Sequence, residues 1–223
     1  MTLSVAAVSG GAIGMVVASS SPAVAARCLH LRTGVGVVAS QNVTNPALGS
    51  LVLDLLGSGL SPDEAVDRAR ASDPASAYRQ LAVVDAAGRT AVYSGANTLG
   101  VHAAVAGDGV VAAGNLLASA GVVDAMLAAY AAYDGTVFEE RLLTALRAGL
   151  AAGGEQGPVR SAGLAVAEQV SWPVTDLRVD DHEDPGGELG RLWELWRGQK
   201  ADYLRRALDP AGAPAFGVPG DRR

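Results

Sequence analysis

The order of elements in the sequence predicts an α+β protein in which two antiparallel sheets are sandwiched between layers of helices. Three observations carry this expectation. Strand-forming runs come in groups and helix-forming runs in pairs between them, whereas a parallel sheet would interleave the two one by one. The 223 residues are 49% hydrophobic but only 4% aromatic, with 28 glycines, so the core must be built from Ala, Val and Leu, which lets layers approach closely. The chain also opens on a hairpin signal, two β-rich runs at residues 2–8 and 12–19 separated by Ser9-Gly10-Gly11.

Taken in order, residues 21–32 read as a connection with Pro22 near its start, followed by a strand at 35–40. Leu48, Leu51, Val52, Leu55 and Leu56 recur at helical spacing until Gly57 and Gly59. Ser61-Pro62-Asp63-Glu64 is a helix start, with Ser as N-cap, Pro at N1 and Glu at N3. That helix runs to about Ser72. A meander follows at 80–84, 90–94, 101–105 and 110–113, closed by Gly114-Asn115. Two helices are expected next: residues 120–133 capped by Ser119, and 137–152 opened by Thr136 with Glu139 completing a second capping box. Strands at 161–170 and 177–179 precede one last helix at 187–208, with Leu189, Leu192, Trp193, Leu195 and Trp196 on a broad face. The Pro, Gly and Ala content from Asp209 onward predicts a flexible tail over 209–223 after a single domain of residues 1–208.

The net charge of −6 and the absence of a basic stripe interleaved with aromatics argue against a nucleic-acid partner. Lys200 is the only lysine and Cys28 the only cysteine, which excludes a disulfide framework and a thiolate metal cluster. Val24-Ala25-Ala26 imitates a signal-peptide cleavage site, but no positive charge precedes it and Ser9-Gly10-Gly11 breaks the apolar run. No run reaches the roughly 18 apolar residues of a membrane span. A cytoplasmic protein without a membrane partner is expected, and its apolar Ala/Val-rich surface suits a homodimer.

The chemistry-bearing residues begin at Thr2. Removal of the initiator methionine, usual before a small residue, would place a hydroxyl nucleophile and a free α-amine base on one residue. The plainer reading of Thr2 is a small residue opening a strand. Ser4 shares its strand face and is either its partner or a rival nucleophile. Ser19 and Ser20 end the second strand beside the start of the first, where their hydroxyls can bond the amine or simply serve the turn. Asn115, at a strand end before a helix, can offer its amide to an oxyanion or cap the turn. Gln41 and Asn45 are candidates for orienting a substrate amide. Arg79 has the guanidinium fork for a substrate carboxylate, or a surface ion pair. Asp180, Asp181 and His182 begin the densest acidic cluster; it can border the substrate, bind a metal, or flank a helix N-terminus. His102 falls in an apolar strand, as a core histidine or a substrate contact, and His30 in a loop. No G-x-S-x-G elbow supports a Ser-His-Asp triad.

A strand beginning at the nucleophile, a glycine-turned second strand and helix pairs after each strand group resemble the N-terminal-nucleophile (Ntn) hydrolases. More closely, the chain resembles the bacterial family known as domain of unknown function 1028, grouped with them. The phrases that carry this are Thr2-Leu3-Ser4, Gly34-Val35-Gly36-Val37-Val38-Ala39-Ser40-Gln41, Thr44-Asn45-Pro46, Arg79-Gln80 with Val83-Val84-Asp85, Gly114-Asn115-Leu116-Leu117, and Asp176-Leu177-Arg178-Val179-Asp180-Asp181-His182. The resemblance implies a four-layer αββα sandwich of two antiparallel sheets. It also implies an amidohydrolase that uses Thr2 on a small linear or cyclic amide with no metal or organic cofactor. Leu3, where the family usually has an aromatic, and the differently spaced Gly100–Gly114 stretch support a second reading, a non-catalytic binding or assembly protein on the same scaffold. A metal-dependent hydrolase built on Asp180, Asp181 and His182 is a third.

Overall fold

The computed structural model describes residues 2–220. Its large sheet holds β1 (Thr2–Ser9), β2 (Ala12–Ser19), β7 (Ala103–Gly107), β8 (Val110–Asn115), β9 (Ser161–Ala167) and β10 (Pro173–Val179), in the spatial order β10-β9-β2-β1-β8-β7. The small sheet is β3 (Leu29–Arg32), β4 (Gly36–Asn42), β5 (Arg79–Asp85) and β6 (Thr90–Ser94), in chain order. Every strand pairing in both sheets is antiparallel.

Strand alternation sorts side chains into layers. On β1, Leu3, Val5 and Ala7 face outward into a core shared with α4 (Gly121–Ala132), α5 (Phe138–Ala151) and α6 (Pro185–Arg197). The opposite face, represented by Ala6, meets Val37, Ala39, Ala82 and Val84 of the small sheet. The far side of that sheet is covered by α2 (Pro46–Gly57) and α3 (Pro62–Ser72). The protein is therefore a four-layer αββα sandwich whose central layer is filled mostly by Ala and Val.

Local signals explain several boundaries. Asn45 caps α2 through its side chain, ahead of Pro46, and Ser61 with Glu64 forms the expected capping box on α3. Asp184 caps α6 ahead of Pro185. The structure corrects five expectations. The meander is not continuous, because β5 and β6 belong to the small sheet and β7 and β8 to the large one. The stretch read as a connection contains α1 (Val24–Cys28) and β3. Ser119 does not cap α4 by its side chain; the helix starts after Ala120, and the Ser119 carbonyl accepts from Val122 N–H at 3.3 Å. No capping box forms on α5, because Glu139 is buried and binds Thr175 Oγ1 and Lys200 Nζ, each at 2.8 Å. The last helix is two, α6 and α7 (Lys200–Leu208), broken at Gly198-Gln199. Beyond α7 the Arg206 guanidinium bonds the carbonyls of Pro214 and Ala215 and covers the Phe216 ring.

Helix α1 rests on β9 at Gly163, where an added Cβ would lie 2.4 Å from Ala25 Cβ. Gly163→Ala is expected to push α1 away and to destabilise the fold by about 1–3 kcal/mol, measured by urea denaturation.

Candidate active site

The strand registers gather a polar row at one end of the large sheet. Thr2 on β1 lies opposite Asn115 on β8, and Ser19 on β2 lies opposite Ser161 on β9. Leu3 pairs with Ala18, so Thr2 and Ser19 meet one step further along the two strands. Paired residues share a face, and this face is the one turned toward the small sheet. Thr2, Ser4, Ser19, Asn115 and Ser161 are all buried. From the other sheet, Gln41 and Gln80 pair across β4 and β5 and enter the same layer, both fully buried.

These side chains form an amide ladder with a defined polarity. Gln80 Nε2 donates to the Gly114 carbonyl at 3.0 Å and to Ser94 Oγ at 3.1 Å. Gln80 Oε1 then accepts from Gln41 Nε2 at 2.8 Å and from Asn115 Nδ2 at 3.0 Å. Gln41 Oε1 in turn accepts the Ser4 hydroxyl at 2.9 Å. A backbone carbonyl can only accept, so it fixes which way each amide points. Turning Asn115 over would set its Oδ1 against Gln80 Oε1, and correcting that would set Gln80 Oε1 against the Gly114 carbonyl. Asn115 Oδ1 is left as a buried acceptor without a hydrogen-bond partner, one of two such atoms among the described residues.

Around Thr2 the chemistry is protic. Its hydroxyl lies within hydrogen-bonding reach of the buried Cys28 thiol, which also contacts Thr44 Oγ1 at 3.4 Å. Burial pushes the Cys28 thiol above its ordinary value, so it is a neutral hydrogen-bonding group at neutral pH and not a thiolate nucleophile. Ser19 Oγ meets Ser21 Oγ at 2.8 Å, and Arg27 Nη2 donates to Ser21 Oγ at 2.9 Å. The Ser20 N–H donates to the Glu155 carboxylate at 3.1 and 3.3 Å. Glu155 is only 5% exposed; burial raises its carboxyl above the ordinary value, and hydrogen bonds from the Ser20 hydroxyl and N–H oppose the rise. Glu155 bridges to Leu117, two residues past Asn115, so its carboxylate spans the ends of the two strands that flank β1. The sequence signals neither Glu155 nor the Cys28 contact, since both arise from chain segments far from Thr2.

The other expected site residues divide by position. Ser4 lies deeper than Thr2 and its proton is committed to Gln41. Asn115, expected to serve an oxyanion or cap the turn, donates one amide N–H to Gln80 Oε1. Asn45 is the cap of α2, accepting from Ala47 N–H. Arg79 is bound at Nε to Asp73 Oδ2 at 2.7 Å, with both side chains mostly buried, so its fork is occupied. His102 is exposed in the loop before β7, not in a strand core, and its Nδ1 meets the Gly100 carbonyl. Asp180, Asp181 and His182 are exposed beyond β10; Asp181 pairs with Arg160 and His182 Nδ1 accepts from Asp184 N–H. They and His102 sit at the same sheet end as Thr2 but at its two edges. At ~4.8 Å per strand, β7 is ~10 Å and β10 ~14 Å from β1. Among the described residues no group of three His, Cys, Asp or Glu is placed to hold a metal ion. A cavity of about 300 Å³ lined by Trp172, Trp196, Lys200 and Tyr203 lies at the opposite end, beside the first residue of β10.

The four-layer sandwich, with a threonine heading a central strand at the polar end of the inter-sheet layer, defines an Ntn-hydrolase-like fold. Within that class the chain belongs to the family of unknown function DUF1028, which it matches over residues 2–189. The crystal structure of protein SPO2555 from Silicibacter pomeroyi, assigned to DUF1028, is 34% identical over 92% of this chain and 94% of that one, with a TM-score of 0.85. Eukaryotic HslV from Trypanosoma brucei is 17% identical, covering 76% of this chain and 100% of its own, with a TM-score of 0.46. Anbu, the ancestral β-subunit from Yersinia bercovieri, is 12% identical, covering 91% and 97%, with a TM-score of 0.39. No curated protein matches the chain.

Two measurements check the electrostatics and the ladder. Gln80→Leu strands the Gly114 carbonyl and the Gln41 and Asn115 amides, and should cost about 3 kcal/mol or more in urea denaturation. The hydrogen bond from Arg79 holds the Asp73 carboxyl below its ordinary value. Its stabilisation is therefore present above the ordinary carboxyl pKa of about 3.9 and lost as pH falls through the lower folded value. Asp73→Asn should cost about 2 kcal/mol at pH 7, with the difference from the unaltered protein shrinking below about pH 4.

Proposed function

We propose that the protein is an N-terminal-nucleophile amidohydrolase acting on a small linear or cyclic amide, with Thr2 as nucleophile once Met1 has been removed. The observation that carries this reading is the position of Thr2, at the head of a central strand and facing the polar end of the inter-sheet layer. Thr2 Oγ adds to the amide carbonyl carbon while the α-amine takes the hydroxyl proton. Collapse breaks the C–N bond, and the same proton passes to the leaving nitrogen. The resulting Thr2 ester is cleaved by water, with the amine again acting as base, which releases a carboxylic acid and restores Thr2. An α-amine has an ordinary pKa of about 7.7–8, so a useful fraction is free base near neutrality. This cycle needs no metal or organic cofactor. The hydroxyls and amides around Thr2 suit a neutral polar substrate better than an anion, since Arg79 is already paired. No helix among the described residues is long and apolar enough to cross a membrane. A cytoplasmic homodimer is part of the same proposal.

The burial of Thr2, 2% exposed, favours the alternative of a non-catalytic binding or assembly protein. Intact mass separates the two first, because retention of Met1 on the folded protein blocks the amine and supports the binding reading. Where Met1 is absent, Thr2→Ala is expected to lower hydrolysis of a reactive amide by at least about 10³-fold in a steady-state assay. Undiminished turnover would overturn the assignment of Thr2.

A further inference from the structure

The amide ladder leaves one polarity unspent. Asn115 is fully buried and stands directly across from Thr2 on the same sheet face. Its Nδ2 is turned to Gln80 by the chain of bonds that starts at the Gly114 carbonyl. Asn115 therefore presents an acceptor, fixed in sense and unpartnered, beside the residue that heads β1. The second acceptor is Glu155, whose carboxylate takes the N–H of Ser20, the residue after Thr2's neighbour Ser19 on β2. Its backbone bridge to Leu117 places it over the ends of β2 and β8, with the start of β1 between them. The two groups approach the head of β1 from different elements, one from β8 and one from the loop after α5. A buried acceptor of fixed sense is costly unless a donor completes it. An ammonium group brings three N–H donors and a positive charge, which fits one neutral and one anionic acceptor.

We propose that Asn115 Oδ1 and the Glu155 carboxylate are the acceptors that hold the α-amino group of a chain beginning at Thr2. This rests on the reading of Thr2 as the mature amino terminus, and makes both groups positioning residues for the amine. The Cys28 thiol on α1 also lies against Thr2, and Arg27, next to Cys28, donates to Ser21 Oγ and the Pro22 carbonyl. His102 and Asp180 stand two and three strands away.

The test uses the chain of residues 2–223, released from a fusion tag cut directly before Thr2, so that it does not depend on cellular removal of Met1. Acetic anhydride labelling across a pH series, read by peptide mass spectrometry, gives the titration midpoint of the α-amine. Lys200 carries the only side-chain amine and serves as internal control, held by Glu139 and Glu168 far from the substitutions. Glu155→Gln is expected to lower the α-amine midpoint by about one pH unit, and Asn115→Asp to raise it by about as much, with Lys200 unmoved. Circular dichroism on the same samples verifies that each near-isosteric variant is folded. Unchanged α-amine midpoints in both folded variants would overturn the proposal. The midpoint is independent of turnover: shifted midpoints with full activity in Thr2→Ala would sink the hydrolase reading and leave this one standing. Unshifted midpoints with activity lost in Thr2→Ala would do the reverse.

Discussion

A single hydrogen bond, from Gln80 Nε2 to the carbonyl of Gly114, sets the direction of every other polar contact between the sheets. The inter-sheet layer is otherwise Ala, Val and Met, with little to specify how one sheet sits on the other. Small side chains pack in many registers at similar energy, whereas a buried amide is satisfied in very few. The ladder from Ser4 through Gln41 and Gln80 to Asn115 thus joins β1, β4, β5 and β8 in one arrangement. It also decides what the end of the layer can do chemically, since it consumes donors and leaves an acceptor.

The periphery is organised by a comparable substitution of tertiary for local bonds. Glu139 has the spacing of a capping box, yet it is drawn inward by Thr175 and by Lys200. Lys200 also reaches Glu168, and α7 begins at Lys200 itself, just past the break at Gly198-Gln199. Once Glu139 is buried, leaving its carboxylate without Thr175 and Lys200 would cost about 3–5 kcal/mol, more than a solvent-exposed cap worth about 1 kcal/mol.

What could be read in the sequence follows the same division. The hairpin of β1 and β2, α2 and the box on α3 rest on spacing within a few residues and lie where the pattern puts them, whereas the meander is divided, with β5 and β6 in the small sheet and β7 and β8 in the large one. Helix α1 spans five residues and opens at Ala23 in a left-handed conformation, too short for a period to register and held by Gly163 on another strand. The same limit applies to the site. Thr2, Ser4, Ser19, Gln41 and Asn115 share one layer and carry visible chemical types, so they could be singled out. Glu155 lies in a glycine-rich stretch with the composition of an ordinary loop. The role of Asn115 depends on the orientation of Gln80, fixed by a carbonyl one residue away in chain but reached only across two sheets. Side-chain chemistry is local, but the sense of an amide is not.

The distribution of strain bears on whether this end of the molecule serves more than folding. Among the described residues three non-glycine residues have positive φ: Ala23 at 53°, Asn42 at 74° and Leu116 at 50°. Asn42 follows Gln41, Leu116 follows Asn115, and Ala23 opens the helix whose Cys28 reaches Thr2. Such a conformation costs about 1–2 kcal/mol for an ordinary side chain, less for Asn. The unpartnered Asn115 Oδ1 adds about 1–3 kcal/mol. The sum is a considerable part of the roughly 5–15 kcal/mol by which a domain of this kind is stable. Leu116 has no conformational excuse in its side chain, and a glycine there would relieve the backbone. Its φ lets the chain leave β8 so that Leu116 N–H reaches the Leu99 carbonyl and its own carbonyl takes the N–H of Gln156, beside Glu155. The strained turn after Asn115 thus joins the Glu155 loop to the end of β8, beside the head of β1, where the fold holds a carboxylate and an unpartnered acceptor in place.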